Sequence, residues 1–218
     1  MALTLISVPI GNLGDITLRA LESLKGADLF IGEERKPMFR LIKELGLPTP
    51  KNYALLNEHS TAQDIQELSR QCQKMKTVLI TDCGTPGFSD PGAELVAACR
   101  QQNIPVTSNP GASSLTTFLS LCGVRLPKFH FVGFLPRSTE DRDIELRKLS
   151  KQKEALILMD TPYRLQKILK ECELHFGHRQ MVLGLDLTKE NEKFFSGAVN
   201  SVVKQCQDNK REFMLLIH

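Results

Sequence analysis

The chain has 218 residues, 41% of them hydrophobic and 24% charged, with a formal net charge of +3. That length can bury a substantial core as one large domain or two small ones, and the composition excludes a disordered chain. The balance of 28 Lys and Arg against 25 Asp and Glu permits an RNA partner without demanding one, and it excludes a strongly basic nucleic-acid binder. In chain order, residues 3–8 read as a strand and residues 15–25 as a helix that Asp15 can cap, with Ile16, Ala20, Leu21 and Leu24 recurring along one face. A strand over 28–32, a helix over 37–45 and a strand over 52–56 follow. A polar helix over 61–73 then leads to a strand over 77–81, a helix over 93–101, a strand over 104–108 and an unusually apolar helix from about Ser113. This alternation predicts a parallel sheet.

Past Gly123 the pattern changes, with strands expected over 129–134, 155–159, 181–187, 194–199 and 212–217, and helices over 140–150 and 162–172. Gly and Pro interrupt the apolar helix near residues 123–127, which places a domain boundary there and divides 1–123 from 124–218. Residues 137–153 carry six cationic side chains and four acidic ones, the composition of a solvated helix face that could also meet RNA.

Cys72, Cys83, Cys99, Cys122, Cys172 and Cys206 are scattered, with no CxxC pair and no His at zinc-ligand spacing. No metal site is expected, and the thiols read as reduced, mostly buried residues of a cytoplasmic protein. The amino terminus enters a strand almost at once and no apolar run approaches a membrane span, which disfavours secretion and membrane insertion.

Three glycine-rich turns each follow an expected strand: Pro9-Ile10-Gly11-Asn12-Leu13-Gly14, the segment from Cys83 through Gly84, Thr85, Pro86, Gly87 and Phe88 to Gly92, and Asn109-Pro110-Gly111-Ala112-Ser113-Ser114. They therefore lie at the carboxyl ends of strands, where open α/β sheets bind ligands. No Lys or Arg occurs in 7–18, 81–99 or 105–124, whereas Asp15, Asp82 and Asp90 do. A polyphosphate usually meets a cation beside the backbone amides, and the GxxxxGK[ST] pattern is absent. The loops match a neutral or cationic cofactor better than ATP. Helix amino termini can hold phosphate unaided, so a dinucleotide stays open, as does the plain reading of each loop as an ordinary strand-to-helix turn.

Taken together, residues 7–20 (SVPIGNLGDITLRA), 82–92 (DCGTPGFSDPG), 109–114 (NPGASS) and 133–137 (GFLPR), with 160–164 (DTPYR) and 187–189 (LTK) downstream, resemble the tetrapyrrole methylase superfamily. Within it the chain is most similar to the ribosomal RNA small-subunit methyltransferase I family, and the match spans essentially the whole chain. The resemblance implies the α/β, two-domain class III methyltransferase fold, with a mostly parallel first sheet and a mixed second sheet. It also implies a homodimer and S-adenosylmethionine bound in the cleft between the domains. Ile10 matches the family's first cofactor loop, Gly84, Thr85 and Phe88 its second, Ser113 and Ser114 its third, and Asp160 and Thr188 the turns that close over the site. A cationic sulfonium without phosphate agrees with the missing Lys and Arg.

The acceptor in that family is a ribose 2′-oxygen of ribosomal RNA, a poor nucleophile until a base removes its proton. Glu34 and His59 are the nominated catalytic residues, because both follow strands and fall at matching family segments. Each has a plain alternative: Glu34 pairs with Arg35 or Lys36 at the surface, and His59 is an ordinary loop histidine. The chain departs from the family where Glu-Asp-Thr-Arg becomes Glu33-Glu34-Arg35-Lys36, Glu-Ser-Pro-His-Arg becomes Asp160-Thr161-Pro162-Tyr163-Arg164, and Arg-Glu-Leu-Thr-Lys becomes Leu185-Asp186-Leu187-Thr188-Lys189. The family's carboxy-terminal extension has no counterpart here. Cofactor loops are thus kept better than acceptor positions. Methylation of a tetrapyrrole or other small acceptor, and a non-catalytic cofactor- or RNA-binding role, remain alternatives to RNA methylation.

Overall fold

In a computed structural model, which describes Met1–His218, alternation along β1 (Ala2–Ile6) sends Leu3 to one face of a sheet and Ile6 to the other. The elements that follow are α1 (Leu18–Lys25), β2 (Leu29–Gly32), α2 (Arg35–Glu44), β3 (Tyr53–Leu55), α3 (Ala62–Lys74), β4 (Lys76–Leu79), α4 (Ala93–Gln101) and β5 (Val106–Asn109). The five strands pair in parallel in the order β3-β2-β4-β1-β5. Ile6, Phe30 and Val78 pack against Ala20 and Leu24 of α1 and Met38 and Ile42 of α2. Leu3, Ile31 and Leu79 pack against Leu68 and Cys72 of α3 and Leu95 and Cys99 of α4. Each such aliphatic side chain contributes roughly 1.5–3 kcal/mol on burial. Helices therefore cover both faces, and only the strand ends are left for chemistry.

One expectation about this unit is corrected. Helix α1 starts at Leu18 because the Thr17 hydroxyl accepts the Ala20 N–H at 3.1 Å. Asp15 does not cap it but ends a separate short 3-10 turn, Leu13–Asp15, held by the Asn12 side chain.

The chain divides into two compact units, Met1–Ser113 and Ser114–His218. The second contains α5 (Ser114–Leu121), β6 (Phe129–Gly133), α6 (Thr139–Ser150), β7 (Ala155–Asp160), α7 (Leu165–Phe176), β8 (Gln180–Leu185), β9 (Lys193–Ala198), α8 (Val199–Gln205) and β10 (Phe213–Ile217). Its sheet runs β6-β7-β10-β8-β9, with β6 and β7 parallel and the other neighbours antiparallel. Leu146 and Leu149 of α6, Ile168, Leu169 and Phe176 of α7, and Val199 and Val202 of α8 build the core with Leu156, Leu183 and Leu215 of the sheet.

The division falls ahead of the glycine and proline interruption at 123–127 because α5 packs into the second unit. Phe118 stacks on Phe194 with centroids 6.2 Å apart, over Gly184. A Cβ at Gly184 would lie 3.1 Å from atoms of both rings. Gly184→Ala is expected to cost about 1–3 kcal/mol by overpacking, read by urea denaturation; an unchanged midpoint would show that the rings yield freely. Helix α8 was not expected, because its short Val-Asn-Ser-Val-Val sequence carries β-branched residues that favour strands.

The charged segment 137–153 also departs from expectation. Arg147 and Lys148 are solvated, but Arg142 is fully buried, with 0% exposure. Of the cysteines only Cys83 is exposed, and burial pushes the Cys172 thiol up to about 12. No helix is long and apolar enough to cross a membrane.

Candidate active site at the strand ends

From β1 the chain passes to β2 on one side, and from β4 it passes to β5 on the other, while β1 and β4 are neighbours. Connections that leave adjacent strands in opposite directions open a crevice at their carboxyl ends, which is where α/β sheets bind ligands. The first two glycine turns meet there. Val8 and Gly84 exchange backbone hydrogen bonds of 2.8 and 3.1 Å. Gly84 has φ +78°, and a Cβ on it would sit 3.4 Å from Ile10 Cγ2. Glycine thus allows the second loop to cross the first.

Thr85 ties in the third loop. Its hydroxyl donates to the Ala112 carbonyl at 3.1 Å and lies 2.9 Å from the buried Ser7 hydroxyl, which therefore donates to it. Ile10 is buried against this crossing and Phe88 is 41% exposed farther along the second loop. Ser113 ends the first unit and Ser114 opens α5. The structure so brings Ile10, Gly84, Thr85 and the start of the third loop together.

The same sheet edge collects negative charge. Glu33 follows β2, Glu58 follows β3, and Asp82 and Asp90 lie in the loop after β4. Glu33 is half-buried, and burial, followed by repulsion from Asp82, Asp90, Glu58 and Glu34, raises its pKa to about 7. Burial, with Asp82 beside it, raises Asp90 to about 6. Asp82 is raised too, mainly by burial and then by Glu34. No cation is among the groups acting on these three carboxylates. An edge of this kind suits a positively charged ligand.

Glu34 and His59 are placed differently. Glu34 is the exposed amino-terminal cap residue of α2, without a side-chain capping bond. His59 follows the edge strand β3, with its side chain 85% exposed and 3.8 Å from Glu58. Sequence reasoning passed over Glu33, although it adjoins Glu34. A signal was available, since residue 33 directly follows the apolar run Leu29-Phe30-Ile31-Gly32.

In the second unit, Asp160 ends β7, and the β8 turn carries Asp186 and Thr188. Phe213 of β10 lies between them, paired to Asp160 on one side and Leu185 on the other. Asp160 Oδ1 accepts the Thr161 N–H at 2.7 Å and lies 3.3 Å from Arg164, but Oδ2 has no partner. Burial outweighs these contacts and raises its pKa. Thr188 has φ +65°, held by its N–H donating to Glu192 at 2.7 Å, and its buried hydroxyl is also unpartnered. Two orphaned polar groups on one sheet edge mark a place where a ligand completes the hydrogen bonding. Asp160 ends β7 and Thr188 follows β8, at the same edge of the second sheet with β10 between them. Asp186, paired with Arg211 and Lys189, anchors the turn.

These features fit S-adenosylmethionine. The edge of the first unit offers negative charge to a cationic sulfonium and a backbone crossing of its glycine turns. Residues 2–202 match the family described as Tetrapyrrole (Corrin/Porphyrin) Methylases. The Ribosomal RNA small subunit methyltransferase I of Synechocystis sp. is 36% identical, over 99% of this chain and 78% of its own length. The protein of the same name from Thermotoga maritima is 32% identical, over 95% of this chain and 93% of its own. Among solved structures, diphthine synthase is similar with a TM-score of 0.72 at 13% identity, covering 100% of this chain and 89% of that one. Uroporphyrin-III C-methyl transferase from Thermus thermophilus, complexed with S-adenyl homocysteine, gives 0.66 at 18% identity, covering 100% and 97%. These likenesses confirm the α/β class III fold with its parallel first and mixed second sheet. The strand-end crevice, its loops and the full-length relatives agree, and the chain belongs to the tetrapyrrole methylase family as an S-adenosylmethionine-dependent methyltransferase.

Proposed function

We propose that the chain methylates RNA of the small ribosomal subunit at a ribose 2′-oxygen, working as a cytoplasmic homodimer. The observation that carries the reading is the carboxylate-rich strand edge, joined to relatives that bear the ribosomal RNA methyltransferase name. S-adenosylmethionine, when bound, supplies an electrophilic methyl group on a cationic sulfur. Ile10, Gly84, Thr85, Phe88, Ser113 and Ser114, with the turn residues Asp160 and Thr188, are the positions inferred to hold it.

The remaining task is to make the acceptor oxygen nucleophilic. A base works best with a pKa near the working pH. Glu33, held near 7 by burial and four neighbouring carboxylates, meets that condition. Glu33 takes the hydroxyl proton as the oxygen attacks, and Asp82 and Asp90 keep the edge attractive to the cation. Glu34 and His59, both exposed, are the comparison residues for this assignment.

Two measurements test the reading. Calorimetry should detect S-adenosylmethionine binding to the wild type and its loss in Ser113→Trp and Gly84→Trp, where an indole crowds the loop crossing; wild-type protein that releases no heat of binding removes the cofactor assignment. A labelled-methyl assay then offers small ribosomal subunits, total RNA and uroporphyrinogen in parallel. Label is expected in ribosomal RNA. Label in the porphyrin alone would replace the RNA reading, and label in none would leave a non-catalytic binding protein.

A further inference from the structure

Arg35 and Lys36 are two adjacent cations with no part in the site described above. In the structure these residues open α2, directly after Glu33 and Glu34. The Arg35 guanidinium carbon lies 5.4 Å from the Phe39 ring centroid and 5.5 Å from that of Tyr53. The two rings meet edge to face at 5.1 Å. Tyr53 belongs to β3, the outermost strand of the first sheet, and is 39% exposed. A planar cation is thus fixed between two rings, and Tyr53, which carries one of them, remains partly exposed.

The charge around this stack is one-sided. Residues 35–53 contain Arg35, Lys36, Arg40, Lys43 and Lys51 against the single acid Glu44. Glu44 pairs with Arg40 at 2.8 Å, and Arg35, Lys36, Lys43 and Lys51, all exposed, form no ion pair. The whole chain is nearly balanced, at 28 cations to 25 acids, so the excess is local. The patch also leads to the strand ends. Leu55, two residues past Tyr53, pairs with Gly32, the residue before Glu33.

We propose that Arg35, Lys36, Lys43, Lys51 and Tyr53 form a docking surface for single-stranded RNA, which guides the strand across the β3 edge toward the site at the strand ends. The proposal rests on the RNA reading above. Unpaired cations neutralise phosphates along the backbone, and an exposed aromatic ring stacks on an unpaired base without regard to its identity. Duplex RNA would present its bases edge-on and could not use Tyr53 this way. An anionic membrane would use the same cations but needs apolar side chains to insert, and on this face only Leu55 and the Tyr53 ring are exposed.

The test uses a fluorescently labelled, mixed-sequence single-stranded RNA and full-length protein, with binding read by anisotropy across a salt series. Arg35→Gln/Lys36→Gln is expected to bind about tenfold or more weakly, with a log–log salt slope smaller by about 1 for each cation removed. Tyr53→Ala is expected to lose about tenfold at every salt concentration, with little change in slope. Both should bind S-adenosylmethionine like the wild type, and their thermal melts show whether they are folded. If the wild type binds RNA and both variants match it, the surface is elsewhere and the RNA reading stands. If the wild type binds no RNA while it binds S-adenosylmethionine, the RNA reading itself falls. Variants that bind RNA normally but no longer bind phosphatidylserine vesicles would reassign the patch to a membrane.

Discussion

Replacing Glu33 by Gln is expected to slow methyl transfer by about 100- to 10,000-fold while leaving the protein more stable at alkaline pH. Both effects come from one cause. The fold holds the Glu33 carboxyl where its pKa is about 7 instead of 4.5, first by burial and then through Asp82, Asp90, Glu58 and Glu34. The folded chain therefore keeps a proton that the unfolded chain releases. Stability from this group is greatest below the unfolded value and declines as pH rises from about 4.5 to about 7. Because Glu33 is only half-buried, solvent screening reduces the cost of the charged form to about 1–2 kcal/mol. Gln removes that cost, so its melting temperature should exceed that of the wild type at pH 8 and match it near pH 4.

Asp90, with its pKa of about 6, adds to the same trend. Cofactor affinity should move the opposite way. A cation binds better to ionised carboxylates, so affinity is expected to rise with pH through the interval from about 6 to about 7 set by Asp90 and Glu33. Glu34→Gln and His59→Gln serve as controls and should retain most activity. Wild-type turnover by Glu33→Gln would remove Glu33 from the chemistry. A flat cofactor affinity over that pH interval would show that these carboxylates do not face the sulfonium.

The second large effect is structural. Arg142→Met is expected to destabilise the protein by about 3–5 kcal/mol, the usual result of leaving half of a buried ion pair behind. The guanidinium makes a two-pronged pair with Glu171 at 2.7 and 2.8 Å. It also donates to the carbonyls of Pro136, Arg137 and Ser138 at 2.9–3.2 Å. Arg164 holds the same turn through Leu135 and Pro136 at 3.1 and 2.9 Å, and faces Asp160 at 3.3 Å. The two arginines thus connect the turn after β6 to the end of β7, where Asp160 offers its free oxygen. Arg142→Lys should be nearly as damaging, since one ammonium cannot replace the planar fork. Arg142→Met/Glu171→Leu should recover part of the loss, because an apolar pair leaves no charge stranded. Urea denaturation measures all three. A single Met variant within about 1 kcal/mol of wild type would mean that Glu171 reaches solvent without cost.

Arg142 also shows why part of this molecule escaped the sequence. In 137–153 it is one charged residue among ten, and its spacing looks like that of its neighbours. Its burial depends on Glu171, 29 residues away on another helix. Glu33 and Glu34 present the same difficulty at shorter range. Two adjacent carboxylates look alike until the end of β2 turns one inward and makes the other the first residue outside α2. The valines of α8 favoured a strand locally, and packing of Val199 and Val202 into the second core overrode that preference.

By itself, the sequence determined the alternating strands and helices, the glycine turns after the strands, the lack of Lys and Arg around those turns, and through them the family and the methyl donor. Each of these is a local property, readable from a period of two or 3.6 residues or from a single turn. Only the tertiary structure decided that Thr85 ties three loops together, that Glu33 gathers the field of four carboxylates, that Arg142 is buried, and that Arg35 stacks between Phe39 and Tyr53. Burial and charge coupling depend on which distant residues come within a few ångströms, so they arise only when the sheet order is set. The three glycine turns are where the two levels meet, since their spacing is local and their crossing at β1 and β4 is not.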